Sequence, residues 1–190
     1  DKLSTHSIWK VVMFGFEAIW PSGRLEIDGH NMGDVWPHSA ISKEDNDDPG
    51  AGLVCFHKLS QWLTYSLMEP LKEELKLEIS DLQYMTGLPE YRNGGLFVDL
   101  GVLVPKSSKT LTDSHLPDSE MIIEWRALTV CLLDELAAEL RKVLDTTEAD
   151  FPLVKILEGG TWKAGRAIAK KLRPDTCSPP VSIISDGTVF

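Results

Sequence analysis

Apolar side chains at Phe56, Leu59, Leu63 and Leu67 recur every three to four residues, with Trp62 beside them, which is the spacing of one helix face. The pattern predicts a helix from Leu53 that Pro70 ends or kinks, and a second helix over residues 71–78. A longer stripe of Ile122, Trp125, Leu128, Leu132, Leu136, Leu140 and Val143 starts behind a cap at Asp118 or Ser119 and predicts a central helix, apolar on its other faces too. A last helix is expected over about residues 151–172, broken at Gly159 and Gly160. The capping-box-like "SDLQ" at Ser80 opens a shorter one that stops at Gly87. Residues 8–20 fit either a helix or a strand pair, and the spacing in "FEAIW" favours a helix. Short strands are expected at 24–27, among Gly, Pro and Asp turn signals, and at 97–104, behind a turn at Asn93-Gly94-Gly95. The tail "SPPVSIISDGTVF" is extended. No internal repeat is present, and the whole describes a mainly α chain, a single helical domain over residues 1–190.

The composition narrows the partners. With 190 residues, 43% of them hydrophobic, the chain can bury a core. A net charge of -10 and a pI near 4.9 repel phosphate backbones and anionic lipid, so neither nucleic acid nor a membrane surface is an expected partner. The stretch 121–140 is interrupted by Glu124, Arg126, Asp134, Glu135 and Glu139, too many charges for a bilayer span. Cys55, Cys131 and Cys177 are odd in number and form no CxxC pair, and the first two fall in stretches that look helical, so a reducing, cytoplasmic setting is expected. The sequence enters apolar residues by position eight without an initiating Met, as though part-way into a domain. A fragment whose site further residues complete is therefore also an expectation.

Familiar chemical motifs are few. Asp45, Asp47 and Gly50 of the acidic loop 42–52 mimic a calcium loop, but Pro49 and Phe56 stand where that loop needs other residues. The five histidines lack metal-ligand spacing, and there is no GxSxG, P-loop or GxGxxG. Neither a metal nor an organic cofactor is expected.

Four stretches instead place charge among apolar residues. In "CFHKLSQWL", Lys58 either snorkels to solvent or meets a partner or ligand. In "LPEYRNGG", Glu90 and Arg92 either tie down a turn or face a cleft with Tyr91 between them, the carboxylate as base or electrostatic stabiliser and the guanidinium on an anion. In "IIEWRALTV", Glu124 and Arg126 form a structural ion pair or part of a site. In "ILEGGTW", the glycines after Glu158 serve helix packing, or let backbone approach a ligand with Trp162 as a flat wall.

These stretches, with "VMFGFEAIWPSGR", "GDVWPHS", "FHKLSQWLTYSLMEPL", "LPEYRNGGLFVDLGVL", "EWRALTVCLLDELA", "LEGGTWKAGR" and "SDGTVF", resemble the uracil catabolism protein family of the fungal and bacterial ring-opening pyrimidine pathway along nearly the whole chain. Members of that family look longer at the N-terminus. More distantly, Phe56, His57, Lys58 and Gln61, then Glu90, Tyr91 and Arg92, then Glu124 and Arg126, then Glu158 and Trp162 are similar in order to motifs of queuosine salvage proteins, which hydrolyse an N-glycosidic bond on a helical DNA-glycosylase-like fold. Glu90 stands where that family has Asp, one methylene shorter.

Together the resemblances imply an N-ribosyl hydrolase that releases urea and ribose phosphate from a ribosylurea-phosphate-like, nucleotide-derived small molecule. Glu90 would stabilise an oxocarbenium-like centre or activate water, and Glu124 or Glu158 would protonate the leaving group. Lys58, Arg92 or Arg126 would hold phosphate, with Tyr91 and Trp162 beside them. The alternative is a non-catalytic binding or regulatory protein for a pyrimidine metabolite. An amidohydrolase acting on a ureido carbonyl would call for a metal cluster or an activated nucleophile, and the sequence displays neither.

Overall fold

The computed structural model describes residues 1–41 and 48–189; the acidic positions 42–47, with Asp45 and Asp47, lie outside the described residues. Helix makes up about half the chain and the strands are short, so the fold is mainly α. The described residues form two compact units, Asp1–Thr86 with Val189, and Gly87–Thr188.

In the first unit β1 (Lys2–Ser4) leads into α1 (Thr5–Gly15), where Ser4 caps the helix by accepting the His6 N–H at 3.2 Å. The expected helix in residues 8–20 is therefore present, closed by a 3₁₀ turn at Glu17–Ile19. The short strand expected at 24–27 is present as β2 (Glu26–Ile27), which forms a hairpin with β3 (His30–Asn31), Asp28 and Gly29 at positive φ in its tight turn. β4 (Val35–Pro37) pairs antiparallel with β5 (Leu53–Cys55), Val35 opposite Cys55. The helical spacing that begins at Leu53 is thus misleading for its first residues, and Cys55 lies on a strand. The helix itself, α2, runs Lys58–Glu73.

Asp34 explains where α2 starts. His57 sits in the left-handed region at φ 48 and offers the helix no side-chain cap. The cap comes from 24 residues upstream, where the fully buried Asp34 accepts the Lys58 N–H on Oδ2 at 3.1 Å and the Trp36 indole N–H on Oδ1 at 2.7 Å. Asp34→Ala should orphan both donors and lower stability by about 2 kcal/mol, read from urea denaturation, with Asp34→Asn costing less.

Pro70 does not end α2, which runs about one turn past it to Glu73. Residues 71–78 do not form a second helix. Lys76 at φ 54 turns the chain into β6 (Glu78–Ser80), which pairs parallel with β1. The "SDLQ" segment gives a 3₁₀ turn at Leu82–Tyr84, and the Ser80 hydroxyl donates to Asp81 rather than capping a longer helix. Ile8, Met68 and Met85 form the core here, packed by Leu3, Tyr65 and Ile79.

His57 adds a pH dependence. Its Nδ1 is buried with no hydrogen-bond partner among the described residues, and the ring meets Trp9 edge-on at 5.9 Å. Burial holds its pKa below the usual histidine value, outweighing the opposing pull of Asp34. Because the folded pKa is lowered, the unfolded chain takes up a proton first as pH falls through about 6.5, so this contribution is present above that pH and lost below it. His57→Asn, which tolerates positive φ, should flatten the fall in denaturation free energy between pH 7 and pH 5.

The second unit contains α3 (Tyr91–Asp99), α4 (Lys109–Thr112), β7 (Ser114–His115), α5 (Glu120–Val143), α6 (Leu153–Ile156), α7 (Lys163–Leu172) and β8 (Ser182–Ile183). The strand expected at 97–104 is absent. The segment finishes α3 and then folds back, with the N–H groups of Val102 and Leu103 both on the Phe97 carbonyl, at 2.8 and 3.0 Å. α5 has the expected limits, and Ile122 and Trp125 of the apolar stripe are buried with Ile123 and Arg126, but further along the buried residues are Thr129, Leu133 and Ala137, one position round from the Leu128, Leu132 and Leu136 read in the sequence. β8 gives the extended tail a parallel partner in β7. Ile122, Trp125 and Val181 form a core cluster with Tyr91, Val98 and Leu103 against it.

Candidate functional site

In the second unit the candidate residues gather around the first turn of α3. Glu90 is its N-cap: its backbone is extended, its Oε2 accepts the Arg92 N–H at 2.6 Å, and its side chain is 8% exposed. The Leu88 carbonyl receives the Glu90 N–H at 2.8 Å and the Asn93 side-chain amide at 3.1 Å. "LPEYRN" is therefore a tightly wound helix entrance. A carboxylate here is favoured by the positive end of the helix dipole.

The Asn93-Gly94-Gly95 run is not a turn but the inner face of α3. A Cβ on Gly94 would lie 2.6 Å from Thr129 Oγ1 and 2.8 Å from the Trp125 ring, and one on Gly95 would lie 2.8 Å from Pro180. These glycines serve close packing against α5 and the tail. Asn93, 3% exposed, accepts the Thr161 hydroxyl at 2.9 Å. That bond ties α3 to a π-helical turn, Leu157–Trp162, which joins α6 to α7 where the sequence suggested a break.

Within that turn Gly159 has nothing within 4 Å of an added Cβ, Gly160 meets only Ile156 at 3.8 Å, and neither has a positive φ. Packing requires glycine at neither position. Gly159→Ala and Gly160→Ala should each stabilise the unit by about 0.5–1 kcal/mol in denaturant melts. A loss instead would mean that the π turn itself depends on glycine. Trp162 is half-buried and carries the Arg166 guanidinium over its ring at 5.3 Å, so it is not a bare apolar wall.

Tyr91 and Arg92 line a cleft of about 360 Å³ with Thr176, Ser178, Ser182 and Ser185 and the apolar Pro179, Val181 and Ile183. Arg92 donates from Nη1 to the Cys177 carbonyl at 2.8 Å, its Cζ lies 5.0 Å from the Tyr91 ring centre, and its buried Nε has no hydrogen-bond partner among the described residues. Arg173 holds the next carbonyl, Ser178 O, at 2.6 Å, while its Nη1 meets the Asp99 carboxylate at 2.9 Å. Two arginines thus fix the segment that walls the cleft. Together these groups suit a polyhydroxylated anion.

The remaining candidates are dispersed. Arg126 is 1% exposed on the inner face of α5, but Glu124, two residues away and so about 200° round the helix, is exposed, as is Glu158. Neither carboxyl is enclosed by apolar residues as the sequence suggested. Lys58 belongs to the first unit and is 6% exposed in the first turn of α2, so it does not snorkel. Asp34, Asn93, Asp99, Thr161 and Arg173 escaped the sequence reading, because each acts through a partner at least 24 positions away. Only the Asn of "RNGG" gave a local signal.

Among the described residues no group of three His, Cys, Asp or Glu is placed to hold a metal ion, and no helix is long and apolar enough to cross a membrane. A family model described as a protein of unknown function, DUF1688, matches residues 1–190. Protein urg3 of Schizosaccharomyces pombe is 46% identical over 189 residues, covering 99% of this chain and 45% of that protein. Uracil catabolism protein 4 of Lachancea kluyveri is 44% identical over 204 residues, covering 97% of this chain and 45% of that protein. The chain therefore spans less than half the length of these curated relatives. No solved structure matches it. Since the family model runs from the first residue to the last, the chain belongs to the DUF1688 family.

Proposed function

We propose that this chain acts in uracil catabolism, as part of an N-ribosyl hydrolase that splits a ribosylurea-phosphate-like intermediate into urea and ribose phosphate. One observation carries the reading: a buried carboxylate, Glu90, is fixed at a helix N-terminus directly before the two residues, Tyr91 and Arg92, that line a hydroxyl-rich cleft. The relative named Uracil catabolism protein 4 supports the uracil part of the reading from outside the geometry.

The cleaved bond joins C1′ to a urea nitrogen. As it lengthens, C1′ becomes cationic, and the Glu90 carboxylate stabilises that charge or removes a proton from the attacking water. Water supplies the new C1′ hydroxyl, and the leaving nitrogen gains a proton. Of the two candidate acids, Glu124 lines a different cleft, which leaves Glu158, carried on the π-helical turn that Thr161 and Asn93 bond to α3. Arg92 and the serine and threonine hydroxyls receive the phosphate and sugar oxygens.

A second reading has an observation of its own. Glu90 already caps α3 and Arg92 already holds Cys177 O, as expected if both charges only shape a binding site for a pyrimidine metabolite. The test is to incubate full-length protein with ribosylurea 5-phosphate and assay urea and reducing sugar phosphate. Release supports the hydrolase. Saturable binding without release by folded protein sinks it and favours the metabolite-binding reading.

A further inference from the structure

A second cleft in the Gly87–Thr188 unit, about 420 Å³ in volume, is separate in character from the one lined by Arg92. Val98, Leu103, Trp125 and Leu128 give it an apolar floor, in place of the hydroxyls of the first cleft. Lys106 and Lys109 stand on its rim, with His115 and Glu124 also in the lining. His115 is held there by a hydrogen bond between its Nε2 and the Thr110 carbonyl at 3.2 Å.

The charges define the occupant. The chain carries a net charge of -10, yet two lysines only three residues apart are set on the edge of an apolar hollow. Neither lysine forms an ion pair with a carboxylate among the described residues. An apolar floor removes a hydrocarbon or aromatic body from water, and the adjacent ammonium groups attract a single anionic head. Glu124 repels a second negative charge, which disfavours the phosphorylated sugar suited to the other cleft. The size is within the range of small-molecule sites.

We propose that this cleft is a second ligand site, for a small amphipathic monoanion: an aromatic or branched apolar body bearing one carboxylate. The body lies over Trp125 and Leu128, and the carboxylate meets Lys106 and Lys109.

The probe is 4-benzoylbenzoate, which has an aromatic body, one carboxylate and a ketone that inserts into neighbouring C–H bonds under near-ultraviolet light. Full-length protein is irradiated with it, and the labelled peptides are mapped by mass spectrometry. Labelling should saturate and concentrate within residues 98–128. The exposed double variant Lys106→Glu, Lys109→Glu should cut it about tenfold with an unchanged circular dichroism spectrum, corresponding to about 1.4 kcal/mol. Glu124→Gln should raise it. Labelling spread over exposed apolar residues elsewhere, or undiminished in the lysine variant, would overturn the proposal. Urea release plays no part in the readout, so the result stands apart from the hydrolase reading.

Discussion

On the hydrolase reading, full-length protein carrying Glu90→Gln should keep its fold and its affinity for ribosylurea phosphate but release urea roughly a hundred- to ten-thousand-fold more slowly. The substitution isolates charge from shape. Gln retains a side-chain carbonyl oxygen that can accept the Arg92 N–H now held by Glu90 at 2.6 Å, so the helix entrance survives with a loss of about 0.5–1 kcal/mol. What disappears is the negative charge that would face a cationic C1′ or take a proton from water. Single-turnover rates of urea release, beside binding measured by calorimetry, separate the two effects. A variant with intact turnover would show that Glu90 serves only as a cap, and the chemistry would have to be sought in another carboxylate.

The second large effect is structural. Gly165→Ala should destabilise the protein by about 3 kcal/mol, measured by urea denaturation, far more than alanine at Gly159 or Gly160 in the same stretch. A Cβ at Gly165 would overlap the backbone carbonyl oxygen of Arg92 and lie 2.8 Å from its carbon. Backbone cannot swing aside as a lysine side chain would, so α7 and α3 must part, and Arg92 moves with them. Urea release should therefore fall along with stability. If Gly165→Ala costs less than about 1 kcal/mol, the two helices are not locked together in this way, and the cleft beside Arg92 has another support.

Several elements were legible in sequence because their signals are local. The limits of α5 follow from its apolar spacing and the Ser119 entrance, and the β2–β3 hairpin follows from Asp28-Gly29. The errors came where a distant residue decides the outcome. "RNGG" has the composition of a turn, but Glu90 caps it and Thr129, Trp125 and Pro180 press on its glycines, so it winds into a helix. Leu53 to Cys55 carries helical spacing, yet pairing with β4 makes it a strand, and Asp34 sets the start of α2 three residues later. In the candidate site, "EYR" was visible as an unusual run of reactive side chains. Whether Glu124 would be enclosed was not, since apolar neighbours in sequence do not reveal which face of a helix meets the core.

The π-helical turn at Leu157–Trp162 also bears on chain length. Such a turn holds one residue more than the α-helix it interrupts, so it records a place where the chain can change by a single position without breaking the rod. Losing that residue would rewind the stretch as plain α-helix. Gly165 and Ala169 would remain against their neighbours, while everything before Gly159 would rotate by about 100° about the axis, carrying Ile156 out of the core and Glu158 to a new bearing. Relatives that differ by one residue at this point would keep the close contact of Gly165 with α3 and turn a different face of the preceding helix toward it.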